Sequence, residues 1–146
     1  MTAPASDPAV IPVAPDPPVP GVGVAVVSDG RLLLVRRGRE PGLGLWAVPG
    51  GKVERGERLI DAARREAREE TGLEVAIGEV VWVGESIGPG HPPQWHYTLV
   101  DFRATVIGGH LAPDDDAAEA GWFTVEEARR LPLTPTMPAL LDALDL

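Results

Sequence analysis

The stretch Gly51-Lys52-Val53-Glu54-Arg55-Gly56-Glu57-Arg58-Leu59-Ile60-Asp61-Ala62-Ala63-Arg64-Arg65-Glu66-Ala67-Arg68-Glu69-Glu70-Thr71-Gly72-Leu73 decides the reading of this chain. On a helical wheel advancing about 100° per residue, Leu59, Ile60, Ala63 and Ala67 share one apolar arc. Arg64, Arg65 and Arg68 fall on the opposite, solvent-facing side, and Glu66, Glu69 and Glu70 gather at the edge of the apolar arc. The spacing predicts a helix over Leu59–Thr71 with Gly72 just past its end. Most helices rich in Glu and Arg are solvated faces laced by i,i+4 pairs. Here Glu70 lies inside the arc that should be buried, where a lone carboxylate is costly or becomes protonated. Glu66, Glu69 and Glu70 also crowd three like charges into one turn. A divalent cation answers both problems, and clustered carboxylates with room for water and phosphate suit Mg²⁺ or Mn²⁺.

The residues before the helix fit the same chemistry. Pro49-Gly50-Gly51 lets the backbone approach a ligand without a Cβ in the way, and the Gly51 carbonyl offers a further oxygen. Glu57 stands at the helix entrance, where a carboxylate suits the positive end of the dipole, so by itself it reads as a cap. Further out, residues 22–27 and 31–36 read as two strands joined at Asp29-Gly30, a hairpin signal. Residues 38–51 read as a glycine-rich loop with a short extended piece around Trp46. Two strands follow over about 74–84 and 95–107, and a short one over 121–124. Thr124 is placed to cap a helix over 126–131, and a last helix spans 136–144. Strands mixed with few, unevenly spaced helices predict a mixed sheet packed between helices.

Length and composition narrow the function. A chain of 146 residues suits one domain. Zero cysteines exclude disulfides, a catalytic thiolate and Cys-based metal sites. Asp plus Glu outnumber Lys plus Arg by 22 to 13, a net charge of −9. That balance argues against nucleic acid or an anionic membrane as partner, and an anionic ligand would need a cation to mediate. Pro4, Pro8, Pro12, Pro15, Pro17, Pro18 and Pro20 make residues 1–19 a proline-rich flexible arm, with the globular domain over 20–146. The arm has neither a basic start nor a continuous apolar run, so it does not read as a signal peptide, and no stretch is long and apolar enough to span a bilayer.

Gly51, Glu57, Arg65, Glu66, Glu69, Glu70, Gly72 and Leu73 fit the Nudix box, Gly-x5-Glu-x7-Arg-Glu-U-x-Glu-Glu-x-Gly-U with U bulky and aliphatic; Ala67 is a small residue at the first U. The chain therefore resembles the Nudix hydrolases. The lead-in Gly44-Leu45-Trp46-Ala47-Val48-Pro49-Gly50-Gly51 and the later Glu119-Ala120-Gly121-Trp122-Phe123 extend the likeness to about residues 21–144. The resemblance implies an α/β/α sandwich with a mixed parallel and antiparallel sheet, and a cytoplasmic enzyme attacking phosphorus with water, using Mg²⁺ or Mn²⁺. It implies Glu66, Glu69 and Glu70 as metal ligands with the Gly51 carbonyl as a lesser one. Arg65 would orient the box by pairing with a glutamate, foremost Glu57. The general base would be Glu66, Glu69 or a later carboxylate, with Glu119 and the Asp114-Asp115-Asp116 run as candidates. Arg36 and Arg37 could meet a phosphate or ribose, Trp46 could stack on the substrate or pack in the core, and His96 could face the cleft.

The box sets the chemistry, not the leaving group. The NADH-type Ser-Gln-Pro-Trp-Pro-x-Pro-x-Ser array is absent, and Gly90 and His91 stand where the dinucleoside polyphosphate group carries a tyrosine. Pro89, sixteen positions past Leu73, matches the proline of the ADP-ribose group. The expected substrate is therefore ADP-ribose or an ADP-sugar. The alternatives are cleanup of nucleoside triphosphates, canonical or oxidised as in 8-oxo-dGTP, and a non-catalytic nucleotide-binding module. The expected partner is a small nucleoside diphosphate derivative, and a homodimer stays open.

Overall fold

The computed structural model describes residues 16–113 and 117–146. Most of the expected arm, through residue 15, and the Asp114-Asp115-Asp116 run lie outside the described residues. Residues 16–18 are exposed.

The β-branched run forms β1 (Val19–Ser28), which turns through Asp29 and Gly30 into β2 (Arg31–Arg37). Both turn residues have positive φ, 52° and 72°, as a tight hairpin requires and Asp-Gly supplies. The two strands stay paired only at Val27–Leu32 and Ser28–Arg31. Beyond that point they part, and the segment expected as a loop enters the sheet between them. There β3 (Trp46–Ala47) pairs with β2, β4 (Gly50–Lys52) pairs with β1 at Gly21 to Gly23, and the Val24 N–H donates to the Pro49 carbonyl at 2.8 Å.

The helix α1 (Leu59–Thr71) has the expected bounds. It ends on Gly72 at φ 77°, whose N–H donates to the Arg68 carbonyl. A Cβ at Gly72 would also lie 2.5 Å from the His110 carbonyl, so the position suits glycine twice over. Then come β5 (Leu73–Ile87), β6 (His96–Gly109), β7 (Ala117–Phe123), α2 (Val125–Ala128) and α3 (Met137–Leu144). The strand β1 runs parallel to β6, and every other pairing between these strands is antiparallel, including β5 on β6 and β7 on β2; Trp46 of β3 also makes a single parallel bridge to Leu133. Thr124 caps α2 in a capping box with Glu127, although α2 is shorter than the sequence suggested.

The inner strands alternate between two cores. Val22, Val24 and Val26 of β1, Leu33 of β2 and Phe102 of β6 pack against Ala62, Ala63 and Ala67 of α1. Ala25, Leu32, Leu34 and Trp46 pack on the other face against Met137, Leu140, Leu141 and Leu144 of α3. Both faces are covered, which is why β1 and β2 read as unbroken apolar runs. The result is an α/β/α sandwich around a mixed sheet. No helix among the described residues is long and apolar enough to cross a membrane.

Candidate active site

The helix α1 meets the sheet through small residues. Ala62, Ala63 and Ala67 have no exposed surface, whereas Leu59 and Ile60, expected in the apolar stripe, are 39% and 45% exposed. A wheel gives the angle of a side chain but not its depth along the axis, and burial begins only two residues after Ile60, at Ala62.

Arg65 is the second departure from the wheel. Instead of pointing to solvent it folds back to the start of the helix. Its Nε and Nη2 donate to the two oxygens of Glu57 at 2.8 and 3.0 Å, and Nη2 also donates to the Lys52 carbonyl at 2.9 Å. Its Nη1 donates to Glu66 at 2.8 Å and to Glu69 at 3.2 Å. The fork therefore ties β4 to α1 and gathers three carboxylates around one guanidinium, a geometry that needs arginine rather than lysine. The Arg65 hydrogen bond, helped by the Glu54 N–H, holds the Glu57 carboxyl down at about 2, and Glu57 in turn raises the pKa of Arg65. The expectation that Glu57 caps the helix is corrected: its acceptors go to Arg65 and to the Glu54 N–H, and Arg58 occupies the N-cap without a side-chain bond.

Glu70 is 5% exposed, as its place in the apolar arc implied. Its carboxylate accepts from the Gly50 N–H at 2.6 Å. Glu66 lies against the next glycine, and a Cβ on Gly51 would come within 2.6 Å of its carboxylate. A Cβ on Gly50 would lie 2.2 Å from the Val22 carbonyl. The double glycine thus seats β4 between β1 on one side and two glutamates of α1 on the other. Among the described residues no three acidic or histidine side chains are grouped around a point that could take a metal ion, since the carboxylates gather on Arg65 instead. Glu66 and Glu69 turn towards Arg65, and Glu69, with its side chain 42% exposed, is the most accessible of the three ligand candidates on α1. The donor set is all oxygen, the chemistry a hard divalent ion prefers.

The other expected site residues form separate groups. The register of β2 on β7 sets Arg36 beside Glu119, and they pair at 3.3 Å. Glu119 is thereby joined to Arg36, not to Arg65 and its glutamates. The Arg36 Nε is buried without a hydrogen-bond partner among the described residues. Arg37 Nε donates to the Pro41 carbonyl at 2.6 Å. Trp46 is 8% exposed and packs edge-on to Phe123 at 5.3 Å, so of its two expected roles the structure supports core packing. His96 opens β6, half-buried and opposite Ile87. Asp101, outside the expected site residues, is 5% exposed within β6, and burial pushes its carboxyl up to about 7. The available signal was an acidic residue inside the apolar run Leu99-Val100-Asp101-Phe102.

The sandwich and the arginine-anchored glutamate helix define a Nudix hydrolase, and the chain belongs to that family: the NUDIX domain model matches residues 17–144. Nudix hydrolases generally use divalent metal ions and act on nucleotide derivatives. Two relatives are the ADP-ribose pyrophosphatase of Methanocaldococcus jannaschii, 37% identical over 78% of this chain and 66% of that protein, and the CTP pyrophosphohydrolase of Escherichia coli, 36% identical over 84% and 87%. The chain thus spans just under two thirds of the archaeal relative. Among solved structures, the MutT Nudix hydrolase of Burkholderia pseudomallei superposes with a TM-score of 0.77 at 30% identity, covering 88% of this chain and 99% of that one.

Proposed function

We propose that this protein is a Mg²⁺- or Mn²⁺-dependent pyrophosphohydrolase that converts a nucleoside triphosphate to its monophosphate and pyrophosphate. The observation that carries the reading is the network on α1, in which Arg65 holds Glu57, Glu66 and Glu69 in register with the Gly50-Gly51 backbone. Glu66, Glu69, Glu70 and the Gly51 carbonyl would hold the metal. A bound divalent ion supplies Lewis acidity and offsets the phosphate charge in a protein whose own charge is −9. Glu66 or Glu69 takes the proton of the attacking water, the water oxygen bonds to phosphorus, and the anhydride bond breaks to release pyrophosphate. Arg65 acts as a positioning residue, fixing both carboxylates from behind. A free nucleotide substrate fits a cytoplasmic enzyme working without nucleic acid or membrane.

The triphosphate is favoured by the likeness to the CTP pyrophosphohydrolase, which covers 84% of this chain and 87% of that protein. A second reading, hydrolysis of ADP-ribose or an ADP-sugar, is favoured by the archaeal relative and by Pro89. Product analysis with CTP, dGTP, 8-oxo-dGTP, ADP-ribose and an ADP-hexose, with and without Mg²⁺, separates them. Monophosphate plus pyrophosphate supports the first reading, and AMP plus ribose 5-phosphate supports the second. Binding of these nucleotides without metal-dependent turnover would overturn both in favour of a binding module.

A further inference from the structure

The sheet face away from α1 is unevenly furnished. Along β1 the positions on that face are Gly21, Gly23 and Ala25, and α3 packs against Ala25. Gly21 and Gly23 are buried, and side chains of β6 lie in the room they leave: a Cβ at Gly21 would come 3.0 Å from Leu99 Cδ2. Their parallel neighbours on β6 are Leu99 and Asp101. A Cβ at Gly23 would lie 2.3 Å from Asp101 Oδ1, 2.8 Å from its Cγ and 3.2 Å from Val48 Cγ2. The carboxyl of Asp101 therefore lies down over β1 in the space the glycine leaves, with Val48 as a wall.

Asp101 makes no side-chain hydrogen bond or ion pair with any described residue, although it is only 5% exposed. A hidden carboxyl without a partner destabilises a fold, and such groups concentrate where a ligand supplies the missing partner. Two strands away, across β1, lie Gly50 and Gly51 with the glutamates behind them, about 10 Å off at the usual strand spacing. Further along the same side of β6, Tyr97 lines a cavity of about 510 Å³ with Trp95, Gln94 and the 40–42 loop. The carboxyl thus sits one nucleoside length from the backbone where the phosphates would be handled.

We propose that Asp101 is the specificity-determining residue for the nucleobase, its carboxyl oxygen accepting a hydrogen bond from an exocyclic amino group of a base seated on this face of β6, between Asp101 and the cavity at Tyr97. This rests on the nucleotide hydrolase reading above. An oxygen acceptor fits cytosine N4, adenine N6 or guanine N2 and faces a keto oxygen in uracil. Discrimination between CTP and UTP isolates that one contact, because the two differ at the amino position and the ring nitrogen beside it. A site built to bond a polar group rejects an analogue that cannot offer it far more strongly than an apolar pocket does.

The test is kcat/KM for CTP and UTP in the full-length protein and in Asp101→Asn and Asp101→Leu, with the thermal midpoint of each at pH 8 without nucleotide. The wild type is expected to prefer CTP by about tenfold or more. In Asp101→Asn, whose amide can donate to a keto oxygen, the ratio falls towards one. In Asp101→Leu, CTP loses about tenfold through KM while kcat holds. Both variants keep or raise the melting temperature, because they remove a buried carboxyl that nothing in the fold satisfies. Unchanged CTP/UTP ratios in both variants overturn the assignment and leave the hydrolase reading intact. A lowered melting temperature with proportionate loss on both nucleotides makes Asp101 structural and overturns it too. A wild type that turns over no nucleotide with Mg²⁺ or Mn²⁺ overturns both.

Discussion

Glu70 on α1 and Asp101 on β6 are carboxyls of equal concealment, each 5% exposed, and the fold treats them differently. Glu70 receives the Gly50 N–H at 2.6 Å, delivered by a loop adjoining its own helix. Asp101 receives nothing from the described residues and sits over a glycine of a strand far away in sequence. One carboxyl has a donor supplied by the backbone, and the other has none among the described residues.

Four experiments sharpen that contrast, beginning with the largest effect. Glu69→Gln and Glu70→Gln should each lower kcat by about two orders of magnitude or more while circular dichroism stays native, since a metal ligand rather than a packing group is lost. Native turnover in both variants would remove the metal site from α1. Next, Arg65→Lys keeps the charge but cannot serve Glu57, Glu66 and the Lys52 carbonyl together. It should destabilise by about 2 kcal/mol in urea titration and depress kcat at the same time. A variant as stable as the parent would make the network ornamental.

The pH dependence of stability should run in opposite directions for the two kinds of carboxyl. Glu57 is held at about 2 against an ordinary 4.5, so its stabilisation is complete above pH 4.5 and is lost as pH falls towards 2. Asp101 is raised from 3.8 to about 7, so in that window the native state binds the extra proton and stability declines as pH rises from 4 to 7. Asp101→Asn should flatten the melting temperature between pH 4 and 7, and Glu57→Gln should flatten it below pH 4.5. Curves identical to wild type would show that neither group titrates as its surroundings dictate. The smallest effect belongs to Glu119→Gln, which breaks an exposed pair with Arg36 and should cost no more than about 0.5 kcal/mol.

What was legible in the sequence follows the same division between local and distant. The bounds of α1, the left-handed Gly72, the Asp29-Gly30 turn and the Thr124 cap are each set by residues within a few positions of one another. The pairing of Arg65 with Glu57, eight residues apart, came through the family resemblance even though the wheel turned Arg65 outward. Strand ends were less legible because partners decide them. β7 begins at Ala117 since Arg37 is there to pair with it, and β5 continues to Ile87 since His96 does the same. The close approach over Gly23 depends on Asp101, 78 positions later, and on Val48, and no local pattern encodes their meeting.

The segment 46–52 has a further consequence for engineering and for natural length variation. Its backbone completes β2 on one side and β1 on the other, so an inserted residue there would shift two registers and both glutamate contacts at once. The exposed stretch at 38–40 carries no such double duty. A library of one- to three-residue insertions should therefore recover folded proteins at 38–40 and none at 46–52, which makes the stretch before Trp46 the place to graft new sequence onto this scaffold.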